Sequence, residues 1–348
     1  MQHRRLGRSG LTTSHFCLGT MTFGSNTDEA DAFIQLDMAL DAGITLLDAA
    51  EMYPVNPVLA ETVGNTEALI GRWRAARGST TDAMQIATKC SGEGLPFVRG
   101  AATVTPASMR QALEGSLKRL QADHIALYQL HWPSRGSYHF RKYWNWTPES
   151  QDKAKTRDEL AALVGCVTEL VAEGKITAFG QSNESAWGLT KWQDMAEATG
   201  GTRISTVQNE YNLICRLFDT DLAEACHQED IGLLAFSPLA TGILSGKYSG
   251  DATPNPSRRM NNPGMSGRIT PDALAAADAY VALARVHGID PVHMANAFCA
   301  ERPFMAAPII GATTATQLEL ILAGADLKLS DELNAGIAAI YKKFPRPM

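Results

Sequence analysis

Several patterns that would assign a function at once are missing from this chain of 348 residues. There is no Gly-x-Gly-x-x-Gly dinucleotide turn, no Gly-x-Ser-x-Gly nucleophile elbow and no His-Glu-x-x-His. These absences weigh against a Rossmann dehydrogenase, an α/β hydrolase and a zinc protease. The six cysteines (Cys17, Cys90, Cys166, Cys215, Cys226 and Cys299) make no Cys-x-x-Cys, and the dispersed histidines suggest no metal set. Buried thiols in a reducing cytoplasm are expected rather than a disulfide framework. No run of Lys and Arg suits nucleic acid, and the net charge is −6. No apolar stretch reaches the ~18 residues of a membrane span. The start, Met1 to Arg8, is basic but leads into no apolar core, so no secretion signal is expected.

What is present is the composition of an ordinary globular protein, 45% hydrophobic and 20% charged. Short apolar runs alternate with helical patterns. Phe16–Gly19, Thr45–Asp48, Met84–Thr88, His124–Leu130, Thr177–Gly180, Thr206–Gln208, Gly232–Phe236 and Ala307–Ile310 read as strands buried on both faces. Ala30–Ala42, Pro106–Leu120, Asp158–Glu173, Ser185–Thr199, Phe218–Glu229 and Ala315–Ala323 read as helices. Eight such units predict one (β/α)₈ TIM barrel over residues 1–348, of class α/β. Arg4–Leu6 and Leu11–Ser14 predict an N-terminal β-hairpin that plugs the barrel, and Asp290–Arg302 and Ser330–Phe344 are two extra helices. Long loops at Pro133–Thr156, rich in aromatics, and at Leu239–Thr270 leave the C-terminal ends of strands, where barrel active sites lie. The first is read equally as an insertion with its own small core and as a lid over substrate.

Four polar residues stand at or just after strand ends: Asp48, Tyr53, Lys89 and His131. Each alone is more often packing or solvated surface. Together they suit carbonyl reduction, in which a hydride acceptor needs a proton on its developing alkoxide. A phenol gives that proton more readily beside a cation, which Lys89 supplies and Asp48 keeps charged. His131 orients the carbonyl oxygen.

The chain resembles the aldo-keto reductase family over nearly its whole length, in its bacterial Tas-like branch. The resemblance is carried by Leu18-Gly19-Thr20-Met21-x-Phe23-Gly24, Asp48-Ala49-Ala50-Glu51-Met52-Tyr53, Ala87-Thr88-Lys89, Leu127-Tyr128-Gln129-Leu130-His131 and Gly174-Lys175-Ile176. It continues through Gly180-Gln181-Ser182-Asn183, Gln208-Asn209-Glu210-Tyr211-Asn212 and Phe236-Ser237-Pro238-Leu239. It implies an NADP(H)-dependent oxidoreductase acting on a small-molecule carbonyl, with Asp48, Tyr53, Lys89 and His131 as the catalytic tetrad. Ser182, Asn183 and Gln208 would hold the nicotinamide carboxamide, with Phe236 stacked on the ring. Thr20, Met21, Ser237, Pro238, Leu239 and Gly242 would complete that side. Lys247 would meet the pyrophosphate and Ser257-Arg258 the 2′-phosphate, with Arg259 equally placed; Gly311, Thr313 and Gln317 would serve phosphate or ribose. Phe23 and Trp132 are the expected substrate contacts. After Gln317 the family pattern has Glu and Asn against adenine, where this chain has Leu320 and Ile321. The same resemblance admits a second reading, an NADP(H)-binding subunit that senses redox state with little turnover. Tyr138-x-x-x-Lys142 has the spacing of short-chain dehydrogenases, but without a Gly-rich turn it reads as coincidence.

Overall fold

The computed structural model describes residues 1–55 and 57–348. The chain opens with β1 (His3–Arg5) and β2 (Thr12–Ser14), an antiparallel pair. Eight parallel strands then close a barrel: β3 (Cys17–Gly19), β4 (Leu46–Asp48), β5 (Gln85–Cys90), β6 (Ile125–Leu130), β7 (Ile176–Ser182), β8 (Ile204–Glu210), β9 (Gly232–Phe236) and β10 (Met305–Ile310). Each pairs with the next, and β10 returns to β3. The helices are α1 (Glu29–Asp41), α2 (Asn65–Arg77), α3 (Pro106–Leu120), α4 (Lys153–Ala172), α5 (Ala186–Thr199), α6 (Asp221–Glu229), α7 (Arg258–Asn261), α8 (Pro271–Val286), α9 (Pro291–Ala300), α10 (Ala315–Ala323) and α11 (Asp331–Lys343).

Local chemistry explains most boundaries. Thr105 and Ser108 form a reciprocal capping box at the start of α3, and Thr270 and Asp290 cap helices whose first residue is proline. Asp152 accepts from the backbone N–H groups of Ala154 and Lys155, so α4 begins five residues before the expected Asp158. The expected Phe218 start is corrected as well: Leu217–Asp219 is a 3₁₀ turn, and α6 begins at Asp221.

Three helices escaped the sequence reading, the four-residue α7 and the longer α2 and α8. The buried stripe of α2 carries few large apolar groups, chiefly Leu69, Ile70 and Trp73, among three arginines. In α8 the stripe is mostly alanine, which gives a weak period. The roles of the surplus helices also shift. Helix α9 packs on β10 and is buried nearly all round, so it belongs to the layer around the barrel; α8 packs against α11, and these two lie outside the alternation.

Inside the barrel, strand periodicity sorts the side chains into layers. Leu46, Ala87, Leu127, Ala178 and Leu234 form an apolar floor closed from below by Leu6 of the hairpin, which is fully buried. Two residues further along the strands stand Asp48, Lys89, Gln129 and Phe236. The core is therefore dry beneath a polar mouth.

Gly7 lets the plug approach. Its φ is +54°, and a Cβ there would lie 2.6 Å from the Ser205 carbonyl oxygen and 2.7 Å from that of Asp230. Gly7→Ala is expected to lower stability by about 1–3 kcal/mol in a denaturant titration. Gly10→Ala, also at positive φ but with open space around the added methyl, is expected to cost less.

Candidate active site

The parallel register sets Asp48 beside Ala87 and Lys89 beside Gln129, so the ends of β4, β5 and β6 meet at one mouth. Lys89 is fully buried. Its Nζ donates to Asp48 Oδ2 at 2.7 Å and to the Ala49 carbonyl at 2.7 Å, and lies 3.4 Å from Tyr53 Oη. The ammonium thus has three partners for three protons. The other Asp48 oxygen accepts from Gln208 Nε2 at 2.8 Å and Gln129 Nε2 at 3.4 Å. The Thr20 N–H and hydroxyl both donate to the Asp48 carbonyl. His131 follows β6, its ring edge-on to Tyr53 with centroids 5.6 Å apart. The four residues expected to act together are brought together.

Burial opposes the charge on Lys89, but Asp48 and Tyr53 outweigh it and hold the ammonium above its ordinary value. Burial likewise raises the Tyr53 phenol; Lys89 pulls it down, Asp48 pushes it up, and the phenol lies above its ordinary value. Lys89 therefore limits a rise rather than producing a net fall, because the mouth is drier than the sequence alone conveys. Burial, and then the Lys89 charge, press His131 well below the usual histidine range, so the imidazole is neutral at pH 7. Its Nδ1 is buried without a hydrogen-bond partner.

Groups suited to a nicotinamide dinucleotide line the adjoining strand ends. Asn183, in a left-handed conformation at φ +53°, donates to the His131 carbonyl and to Ser182 Oγ at 3.0 Å each, while its Oδ1 is buried with no partner. Ser182 Oγ donates to the Gln208 carbonyl. Phe236 pairs with Glu210 at the end of β9. Ser237, at φ +56°, accepts at its carbonyl from Asn212, and Leu239 accepts at its carbonyl from the Gly242 N–H. Gly242 lies against Lys247, whose Cε is 3.0 Å from where a Cβ would stand. Burial lowers the pKa of Lys247, and Arg258 adds to this; burial and Arg268 do the same to Arg258. Arg259 is engaged with Asp251 and the Ala252 carbonyl, whereas the Arg258 guanidinium meets no carboxylate among the described residues. Ser257 Oγ is buried and unpartnered. Among the described residues the Asn183 acceptor and the Ser257 hydroxyl have no partner and the two cations meet no carboxylate, which fits a carboxamide and phosphates. The Thr313 N–H and hydroxyl donate to Gln317 Oε1 at the start of α10. Leu320 is 42% exposed and Ile321 is in the core.

The two long loops are tied down over this mouth. From the aromatic loop, Arg135 pairs with buried Glu184, and Ser137 Oγ donates to the Asn183 carbonyl. Arg141 reaches Glu210 Oε2 at 2.6 Å, and from the later loop Arg268 reaches Glu210 Oε1 at 2.7 Å. A cavity there is lined by Phe140, Arg141, Tyr143, Asn183, Glu210 and Phe236. The aromatic loop thus lines one wall of the mouth, and within it Tyr138 and Trp146 pack edge-to-face, although none of its aromatics is fully buried. Trp132 lies beside His131, centroids 5.0 Å apart, and donates to the Glu93 carbonyl. Phe23 is a correction. It is fully buried in the outer core, away from the apolar cluster of Met21, Tyr53 and Trp132, so its ring does not face substrate. The motif around it is read because it sits beside Thr20 and Met21. Gln129, Arg141, Glu210 and Arg268 were given no role from the sequence; Gln129 and Glu210 stand inside motifs quoted there, whereas Arg141 and Arg268 carry no local signal.

Burial raises the Glu210 carboxyl, but Arg268 and Arg141 outweigh it and hold it below the ordinary value of 4.5. Its contribution is complete above that value and fades as pH falls through the lower folded one. Glu210→Gln is expected to cost about 3–5 kcal/mol at neutral pH, because the arginines lose their counter-charge. The stability gap between the variant and the wild type, read by thermal melts, should stay constant down to about pH 5 and close below it.

A sequence model of the aldo/keto reductase family matches residues 15–342. The chain is 41% identical to the protein Tas of Escherichia coli over 100% of this chain and 99% of that one. It is 32% identical to the uncharacterized oxidoreductase YrpG of Bacillus subtilis, over 100% and 97%. An E. coli protein named NADH-specific methylglyoxal reductase is 27% identical over 73% of this chain and 72% of its own. With a closed (β/α)₈ barrel and four such residues at its mouth, the chain belongs to the aldo/keto reductase family, a family of oxidoreductases.

Proposed function

We propose that the protein reduces aldehyde or ketone carbonyls to alcohols with NADPH, Tyr53 giving the proton. The observation that carries this reading is the buried Asp48–Lys89 pair standing 3.4 Å from the Tyr53 oxygen. The bound cofactor supplies hydride to the carbonyl carbon. A neutral Tyr53 phenol donates its proton to the oxygen as negative charge develops there, and Lys89 stabilises the phenolate left behind. Neutral His131 directs a ring N–H to the same oxygen without adding a second positive charge beside Lys89. Asp48 holds Lys89 charged and in place.

Ser182, Asn183 and Gln208 hold the carboxamide, the open Asn183 Oδ1 accepting its N–H. Phe236 fixes which face of the ring meets the mouth. Thr20, Met21, Ser237, Pro238, Leu239 and Gly242 shape that seat, and Gly311, Thr313 and Gln317 serve the far end. Lys247 takes the pyrophosphate, while Ser257 and Arg258 take the 2′-phosphate. Arg258 is preferred to Arg259 because Arg259 already has Asp251. This supports NADPH even though one relative bears an NADH-specific name. Substrate enters past Met21, Trp132 and Phe140, a wall that favours apolar or aromatic carbonyls. The barrel and its appended helices work as one domain.

Tyr53→Phe is expected to cut kcat for reduction of a broad aldehyde panel by about a hundredfold or more. NADPH binding, followed by fluorescence, should hardly change. Wild-type protein that binds NADPH yet reduces no member of the panel would replace this reading with the sensing one. Arg258→Ala is expected to raise KM for NADPH by about tenfold or more and that for NADH little. Equal rises would remove Arg258 from the 2′-phosphate site.

A further inference from the structure

The turn that carries Tyr53 is neither strand nor helix, yet it is fixed against β5 by a regular series of contacts. The β4–β5 ladder pairs Asp48 with Ala87. Past the end of β4 it continues: the Ala49 N–H donates to the Ala87 carbonyl at 2.8 Å, and the Glu51 N–H to the Lys89 carbonyl at 3.2 Å. The next rung would fall at Ser91, but by then the chain has turned away toward Tyr53. There the Glu51 side chain takes over. Its Oε1 accepts from the Ser91 N–H at 2.5 Å. Arg99 completes the exchange, donating from Nη2 to the Ser91 carbonyl at 2.7 Å and to Glu51 Oε1 at 2.7 Å, with Nε 3.2 Å from Oε2. Both backbone polar groups of Ser91 are thus satisfied by side chains standing where a neighbouring strand would be.

The arrangement has a conformational cost. Arg99 and Ala101 adopt left-handed φ of +48° and +62°, which are unfavourable for residues with a Cβ. Side-chain exposure is 6% for Glu51 and 11% for Arg99, so the pair is also desolvated. A buried ion pair adds little net stability over apolar groups of the same size, so stability alone does not account for it. Its geometry does something an apolar pair could not. It clamps the backbone two residues before Tyr53 to the backbone two residues after Lys89.

We propose that Glu51 and Arg99 are positioning residues for proton transfer, a surrogate strand edge that sets the Tyr53–Lys89 separation. This rests on the reading of Tyr53 as proton donor. Neither residue touches the reacting atoms. They act by keeping the phenol where the ammonium can stabilise its anion, and small displacements of such groups have large consequences, up to about a hundredfold per ångström.

The test compares wild type, the Glu51→Leu/Arg99→Met double variant, Glu51→Gln and the charge-conserving Arg99→Lys. Three readouts are taken: kcat for aldehyde reduction, NADPH affinity, and the titration of Tyr53. The last is followed by ¹⁹F NMR of protein labelled with 3-fluorotyrosine, the resonance being assigned with Tyr53→Phe. In the double variant kcat should fall about tenfold or more with NADPH affinity near wild type, while the melting temperature falls only by what the orphaned Ser91 N–H and carbonyl cost. The Tyr53 midpoint should move up, because Lys89 then contributes less, and Arg99→Lys should fall between the two. A folded double variant with wild-type kcat and an unmoved Tyr53 midpoint would overturn the proposal, as would parallel losses in kcat, NADPH affinity and melting temperature. If the double variant does not fold, the same comparison between Glu51→Gln and Arg99→Lys decides. Should wild type show no turnover, the reductase reading fails, and the Tyr53 midpoint alone decides for or against the clamp.

Discussion

A primary ammonium with no exposed surface is an expensive thing to keep inside a barrel, and the architecture of the mouth follows from keeping it there. Lys89 stays charged because Asp48 sits 2.7 Å away, and Asp48 is held in place by Gln208 and Gln129, which donate to its second oxygen. Thr20 fixes the Asp48 main chain from the end of a neighbouring strand, so the pair is held by groups from β4, β5, β6, β8 and the turn after β3. Only a closed barrel presents so many strand ends to one point. Tyr53 enters as the third partner of the ammonium, which couples the ionisation of the phenol to the integrity of the pair.

The same economy of burial organises the layers below and around. Beneath the polar layer the floor is alanine and leucine, and the hairpin presses Leu6 into it from outside. Water that reached Lys89 from that end would weaken each interaction in the mouth. Above, the two long loops meet at Glu210, whose carboxylate joins Arg141 to Arg268. The aromatic loop and the loop bearing Lys247 and Arg258 are therefore ordered with respect to one another rather than independently.

Much of this was legible in the chain. The eight strands could be read because burial on both faces leaves an apolar run. The convergence of Asp48, Tyr53, Lys89 and His131 could be read because the proposed carbonyl reduction calls for an acid, a cation and a counter-charge, and those residue types stand at the ends of the runs. Asp48 and Lys89 lie one period-two step above apolar residues, and His131 closes the run of β6, so strand order alone brings the three together. The contacts that were not legible join residues far apart in sequence without any local pattern. Arg141, Glu210 and Arg268 are spread over two loops and a strand end. Glu51 looks like one more acidic residue in a turn until Ser91 and Arg99 are seen against it. Phe23 failed in the opposite way: its place in a recognisable motif suggested the mouth, but its side chain points into the outer core. Helix α8 was overlooked because alanines pack closely without making a strong period, and for that reason Asp290–Arg302 was given its place outside the barrel layer.

The chain treats two groups of cations in opposite ways. At the mouth the charge on Lys89 is compensated from within, which on the proposed mechanism suits a group that must be present unchanged before and after each turnover. At the other end stand the exposed Lys247 and the partly buried Arg258; their basicity is lowered by desolvation and by neighbouring cations, and they meet no carboxylate among the described residues. On the proposed function that compensation comes from the phosphates of the cofactor, which are of the right sign and geometry. The exposed Leu320 and buried Ile321 offer adenine no charged or amide side chain, so on this reading recognition leans on the phosphates. On the proposed function, charge left open at one end selects the molecule that binds, and charge closed at the other prepares Tyr53 to give up its proton.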